Sequence, residues 1–302
     1  LKIFYTDCFP LPLPSGHRFP VKKSALLRAK VEADEIGNKH GLRVPEPASD
    51  REILWAHDAE YFKAVKNGEL TGAEMRRVGL PWSPQMVERA RRSAGATLSA
   101  ARAALEDGVA ASLAGGSHHA YRAHGEGYCV INDSAIAALA LKAEGEVNRV
   151  AIVDCDVHQG NGTAAILAGD SDLFTFSIHA ANNYPFPKER SDLDIALADG
   201  AEDAEYLEAL GEGLTATLCR ARPDLVIYLA GADPYHDDQL GKLALSFDGL
   251  AGRDRLVMEY CLSRGVPVAV TMAGGYARRI ADTVAIHFET VRTAAACASR
   301  WG

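Results

Sequence analysis

The sequence predicts an α/β fold: a single domain, 1–302, with a central parallel β-sheet flanked by helices on both faces. Three observations lead there. Apolar, β-branched runs such as Val150 to Val153 recur, and each is followed by a longer segment of helical character. These runs are apolar throughout rather than alternating, as strands buried on both faces must be. A length of 302 residues and an apolar content of 48% suffice for the core of one large domain.

The elements follow in order. Lys2 to Tyr5 reads as a short first strand, and Phe9 to Pro20, with four prolines and a glycine, as a loop. Lys22 to Asn38 reads as one helix ending near Gly37. Ser49 is a candidate N-cap for a helix carrying Leu54, Trp55, Tyr61, Phe62 and Val65. Ser83 and Pro84 open a long Ala/Arg-rich helix to about Glu106, a cap followed by proline at the first helical position. Val109 to Ala114 is a strand running into Gly115-Gly116-Ser117-His118-His119, and Asp133 to Glu144 is a helix. After the Val150 strand come a helix from about Asn161, a strand from Asp172 to Ile178 and a helix from Asp203 to Ala221. The strand from Leu225 to Ala230 leads into Gly231-Ala232-Asp233-Pro234, and a helix spans Phe247 to Arg264. The strand from Val266 to Met272 leads into Ala273-Gly274-Gly275-Tyr276, and the last helix runs from about Arg278 to Ala298.

Composition narrows the function. A net charge of -8 with no Lys/Arg block argues against nucleic acid as a partner, and is compatible with a cationic or lysine-bearing substrate. The six cysteines are scattered without a C-x-x-C pair, which fits thiols in a reducing cytoplasm better than a disulfide framework. No stretch is long and apolar enough to span a bilayer and no signal peptide is visible, so the expected location is cytoplasmic. The chain begins at Leu1 rather than Met, so a short N-terminal piece is expected to precede it.

The chemistry concentrates in Arg149 to Gly162, RVAIVDCDVHQGNG. Asp154, Asp156 and His158 stand at i, i+2 and i+4, on one face if the chain stays extended. Two carboxylates and an imidazole at the end of a buried strand need compensation, and carboxylate oxygen with imidazole nitrogen suits zinc or iron(II). In a parallel sheet, ligands bind beyond the carboxyl ends of the strands. His118, His119, Asp154, Asp156, His158, Asp233 and Tyr276 all fall there, which points to one site.

GGSHHA, DCDVHQGNG, GADPYHDD and AGGY, in this order, resemble the zinc-dependent histone deacetylase family, with its arginase/deacetylase-like fold. GGSHHAYRAHGEGYCVIND and DVHQGNGT are most similar to the class IV branch and its bacterial relatives, and the alanine-rich chain has a bacterial look. The resemblance covers nearly the whole chain, more weakly before Trp82. It implies Asp156, His158 and Asp233 as ligands of zinc, with iron(II) as the alternative in the cell, leaving a position open for water and substrate. It implies His119 as general base and then general acid, His118 as its electrostatic partner, and Asp154 as the acceptor that sets the His118 tautomer. Asn161 stands where some branches have aspartate, so His119 is expected to be less basic than in those branches. Tyr276 is implied as the donor to the oxyanion. Gly127, Tyr128, Phe186 and Leu240 are implied to line a narrow tunnel for the lysine stem. Asp154, Asp156, His158, Ser177 and Ile178 follow the family's pattern for a structural potassium ion.

The resemblance implies hydrolysis of a linear amide, with removal of an acetyl or longer acyl group from the ε-amino group of lysine in a protein or peptide. An acylpolyamine or other small-amide deacetylase is the alternative in the same class. An arginase-type binuclear site would want aspartate two residues beyond His158, where Gly160 stands. A non-catalytic acyl-lysine binder would be expected to have lost a ligand or Tyr276, and this chain has neither loss. Histones as substrate, acyl chain length and oligomeric state do not follow from the sequence.

Overall fold

The computed structural model describes residues 1–301. In chain order the elements are β1 (Lys2–Phe4), α1 (Lys23–Glu32), α2 (Glu35–His40), β2 (Leu42–Arg43), α3 (Asp50–Ala56), α4 (Ala59–Asn67), α5 (Gly72–Val78), α6 (Pro84–Asp107), β3 (Val109–Ser112) and α7 (Asp133–Ala143). They continue with β4 (Val150–Asp154), α8 (Asn161–Leu167), β5 (Leu173–Ala180), β6 (Leu193–Leu197), α9 (Asp203–Ala221), β7 (Leu225–Leu229), α10 (Phe247–Leu262), β8 (Val268–Thr271) and α11 (Ile280–Trp301).

The eight strands form one sheet in the order β2-β1-β3-β8-β7-β4-β5-β6, every pair parallel. The pleat sends alternate residues to two cores. On β4, Ala151 and Val153 pack into one core and Val150 and Ile152 into the other, and β7 divides Val226 and Tyr228 from Leu225, Ile227 and Leu229 in the same way. Both faces are therefore covered, and function is confined to the loops at the strand ends.

Local chemistry sets several boundaries as expected. Ser49 accepts from Glu52 N within a capping box, and Ser83 accepts from Met86 N ahead of Pro84. Other boundaries differ. Lys22 to Asn38 is not one helix, because the Asp34 side chain accepts from Ile36 N and caps a second one. The helix from Ser49 breaks at His57, which turns extended while its buried Nε2 accepts from Asn132 N at 2.9 Å; a tertiary contact overrides helical periodicity. The last strand begins at Val268, not Val266. Strand β4 ends at Asp154, so Asp156 and His158 are not extended-strand residues; they lie in tight turns closed by Asp156 N→Asp154 Oδ1 (3.1 Å) and His158 N→Asp156 Oδ1 (3.0 Å). Three further elements, β2, α5 and β6, lie where the sequence shows no clear period.

Candidate metal centre and active site

Strands β3, β8, β7 and β4 are consecutive neighbours, so the loops leaving their carboxyl ends meet above the middle of the sheet. Those loops carry His118 and His119, Tyr276, Asp233, and Asp156 with His158. Backbone donors tie them together. Ala232 N donates to Gly274 O (3.0 Å), Val157 N to Asp233 Oδ1 (3.0 Å), and Gly274 N to Asp156 Oδ2 (2.8 Å). A Cβ on Gly274 would run into the carboxylates of both Asp233 and Asp156, which is why that loop passes so near only with glycine.

Asp156, His158 and Asp233 each offer one ligand atom, all within 4.8 Å of one another, and all three residues are buried. His158 Nδ1 lies 3.0 Å from Asp156 Oδ1 and 3.4 Å from Asp233 Oδ2. Apart from that approach, Asp233 Oδ2 has no hydrogen-bond partner among the described residues. Burial pushes the Asp233 carboxyl up to about 7, and Asp156 beside it adds to the shift. Two buried carboxylates facing one imidazole, one oxygen left without a donor, form a cluster that a divalent cation fits.

His118 and His119 are neighbours in sequence with ring centroids 4.1 Å apart, yet their surroundings push their pKa values in opposite directions. His118 Nδ1 is 2.7 Å from Asp154 Oδ2. Burial opposes its protonation, but Asp154 and Asp156 outweigh that and raise it to about 9. His119 Nδ1 faces Asn161 Oδ1 at 2.6 Å. Burial lowers it far below the usual histidine range, with the neighbouring His118 and His158 acting in the same sense. The Asn161 amide settles the tautomer. Its Nδ2 donates to Glu126 Oε1 (2.7 Å) and to the Tyr121 hydroxyl (3.1 Å), so Oδ1 must face His119, and His119 Nδ1 must carry the hydrogen. A neutral His119 then keeps the lone pair on Nε2 free.

A cavity of about 710 Å³ opens onto these groups. Gly127, Tyr128, Tyr184, Leu240 and Tyr276 line it. Phe186 lies at its mouth, 71% exposed, while the Tyr184 ring stands edge-on to His119 with centroids 4.9 Å apart. Tyr128 holds a positive φ of 67°, and a Cβ on Gly127 would meet the His119 ring, so this wall presses closely on the histidine. Tyr276 is fastened by its backbone N–H to Asp238 Oδ2 (2.6 Å), and burial together with Asp233 and Asp156 drives its hydroxyl well above the usual tyrosine range, so it stays a donor. Ser177 is buried on β5 opposite Asp154, its hydroxyl 3.0 Å from His179 Nδ1, and Ile178 follows it.

Several site residues escaped the sequence reading. Asp133 accepts from Gly116 N (3.0 Å), Ser117 N (2.6 Å) and Thr97 Oγ1 (2.5 Å), and so shapes the loop that presents the two histidines. Glu126 orients Asn161 and also accepts from the Tyr184 hydroxyl at 2.6 Å. Both lie inside the GEGYCVIND stretch, so their position was visible there but not their role. Lys23 lines the cavity, donates to Ala273 O at 2.8 Å, and is lowered by burial to about 8; nothing in its own surroundings in the sequence marks it.

Comparison with known proteins agrees with this geometry. Residues 17–291 match a family model described as the histone deacetylase domain. An uncharacterized protein of Picosynechococcus sp. is 42% identical over 285 residues, covering 94% of this chain and 95% of that one. Histone deacetylase 2 of Arabidopsis thaliana is 30% identical over 281 residues, covering 89% of this chain and 73% of that one. The crystal structure of an HDAC homolog complexed with SAHA superposes with a TM-score of 0.84 over 99% of this chain and 88% of that one; at 22% identity it speaks for the fold alone.

Proposed function

Because this chain belongs to the histone deacetylase domain family, we propose that it is a single-domain amidohydrolase, metal-dependent, that removes an acyl group from the ε-amino group of lysine in a protein or peptide. Zinc or iron(II) held by Asp156, His158 and Asp233 would supply Lewis acidity, polarising the amide carbonyl and lowering the pKa of water. The chain's own residues do the rest. Neutral His119 takes a proton from water on Nε2 and returns it to the departing amine. Cationic His118, held by Asp154, places positive charge beside developing negative charge. The Tyr276 hydroxyl donates to the carbonyl oxygen as it becomes an oxyanion. Tyr128 and Tyr184 flank the apolar stem of the acyl-lysine and, with Leu240, limit the access of water. This reading includes assignment to the class IV branch and a structural potassium ion among the backbone carbonyls of Asp154, Asp156, His158 and Ile178 and the Ser177 hydroxyl; the pairing of Asp154 with Ser177 on neighbouring strands supports the latter.

The observation that carries the proposal is the pairing of His118 with the Asp154 carboxylate and of His119 with the Asn161 amide beside a three-ligand metal cluster. Two like groups whose surroundings drive their pKa values apart define an acid/base assignment. The test is amine release by the zinc-loaded protein from lysine peptides bearing acetyl to long fatty acyl groups, alongside acetylated polyamines, with Tyr276→Phe as control. Turnover of an acyl-lysine peptide that falls about 100-fold in the control supports the reading. Turnover of polyamines alone would move the substrate to small molecules.

A further inference from the structure

The mouth of the cavity is charged in the sense opposite to the rest of the molecule. The chain carries a net charge of -8. Yet the charged residues lining the cavity, apart from Asp156 and Asp233 at the metal cluster, are all cations: Lys23, Arg76, Arg77, Arg89 and Lys242. Lys23 and Arg89 are half-buried and spend their donors on backbone carbonyls and a hydroxyl. Arg76, Arg77 and Lys242 are exposed. Neither arginine has an ion-pair partner among the described residues, and Lys242 reaches only Asp199, at 3.6 Å.

These arginines are not on a free-swinging segment. They form the last turn of α5, which stops at Gly79, where φ is 76°. The turn is tied to the tunnel wall by Gly127 N→Arg77 O (3.2 Å) and Tyr128 N→Val78 O (2.8 Å), and His17 Nε2 bonds Gly79 O at 3.0 Å. Carboxylates near the mouth are engaged in other hydrogen bonds. Glu74 caps its own helix at Thr71, Glu126 is held by Asn161 and Tyr184, and Asp238 accepts from the N–H groups of Leu240, Gly241 and Tyr276. Among the described residues Asp199, beside Lys242, is the one carboxylate that pairs with these three cations, so the rim stays net cationic.

Acylation removes the charge of the target lysine, so electrostatics at the rim act on the residues flanking it. We infer that Arg76, Arg77 and Lys242 select acyl-lysines set among acidic residues and disfavour basic tails and polyamines. This rests on the lysine-deacylase reading and sharpens it, because the alternative acylpolyamine substrate carries the charge that this rim repels.

The test uses zinc-loaded full-length protein and fluorescein-labelled acetyl-lysine peptides flanked by Glu, Gln or Lys, with binding read by anisotropy at low and high salt. The Glu-flanked peptide should bind on the order of tenfold more tightly than the Lys-flanked one at low salt, with the difference shrinking as salt rises. Arg76→Glu/Arg77→Glu should reverse the order, and Lys242→Glu should reduce the preference should the double variant melt early. Equal binding of the three peptides, a preference that survives both variants, or displacement of the Glu-flanked peptide by an equal concentration of acetylspermidine would overturn the inference. Hydrolysis of the Gln-flanked peptide is scored separately. If it is absent while the charge preference holds, the deacylase reading fails and the acidic-peptide surface stands.

Discussion

Asn161 Oδ1 accepts from His119 Nδ1 at 2.6 Å, while the other end of the same amide is held by Glu126. A neutral amide thus fixes the tautomer of His119 without lending it a negative charge. His119 is accordingly the less basic of the two adjacent histidines.

Replacing that amide by a carboxylate separates orientation from charge. Asn161→Asp places an anion beside His119 and stabilises the imidazolium, so the pKa of His119 rises. The acidic limb of kcat/KM against pH reports the base in the free enzyme and should move to higher pH, by about one unit. The new carboxylate also faces Glu126, and the double variant Asn161→Asp/Glu126→Gln relieves that repulsion while keeping the shift. A limb that stays in place in both variants would remove His119 from the role of base.

The metal cluster makes a second prediction. Asp233→Ala removes one of three ligands and leaves Asp156 and His158 as the remaining two. Elemental analysis should find about one zinc per chain in the parent protein and well below that in the variant. Zinc should also raise the thermal midpoint of the parent protein more than that of the variant, since a ligand bound only by the folded state stabilises it. Retention near one ion per chain in the variant would sink the ligand assignment.

Much of this architecture was legible in the sequence, and the reason is physical. Strands buried on both faces must be apolar throughout, so Val150 to Val153 and Leu225 to Leu229 announce a parallel sheet by themselves. Metal and catalytic groups cluster where such strands end, so DCDVH and GADP stood out against their surroundings. What stayed hidden depends on contacts remote in sequence. The helix break at His57 is set by Asn132, 75 residues away. Edge strand β6 alternates exposed and half-buried positions and lacks an apolar signature. Arg76 and Arg77 look like an ordinary solvated pair until α5 is seen to pair with the Gly127–Tyr128 wall.

Buried histidines outside the site predict how stability varies with pH. His57 is 1% exposed, accepts from Asn132 N on Nε2, and is lowered by burial from 6.5 to about 4. Between those values the unfolded chain takes up a proton at this residue and the folded chain does not. Its contribution to stability is therefore complete above pH 6.5 and is lost as pH falls toward 4. Going from pH 7.5 to 5 should cost about 2 kcal/mol through this group. In His57→Gln the amide oxygen can accept from the same N–H without titrating. Urea unfolding at the two pH values should show a loss smaller by about that amount in the variant, and equal losses would refute the assignment.

The last prediction concerns the support beneath the metal loops. Arg253 on α10 is fully buried; it donates to Gly231 O, two residues before Asp233, and approaches Cys155 O at 3.4 Å, one residue before Asp156. Its charge is balanced by Asp254, which accepts from Arg253 Nε (2.9 Å) and Nη2 (2.8 Å), and also from the Tyr228 and Thr290 hydroxyls at 2.5 Å each. One guanidinium therefore spans the β4 and β7 loops that bring the ligands together. Arg253→Met keeps most of the side-chain volume but strands Asp254 as a buried charge. Breaking such a pair should cost about 3–5 kcal/mol in urea unfolding. Arg253→Met/Asp254→Asn removes both charges and should recover much of that stability, yet it leaves the two loop carbonyls without their donor. If Arg253 positions the ligands, the double variant should bind zinc about 10- to 100-fold more weakly than the parent protein, as measured by competition with a chelator. If it only stabilises the core, zinc affinity should return together with stability.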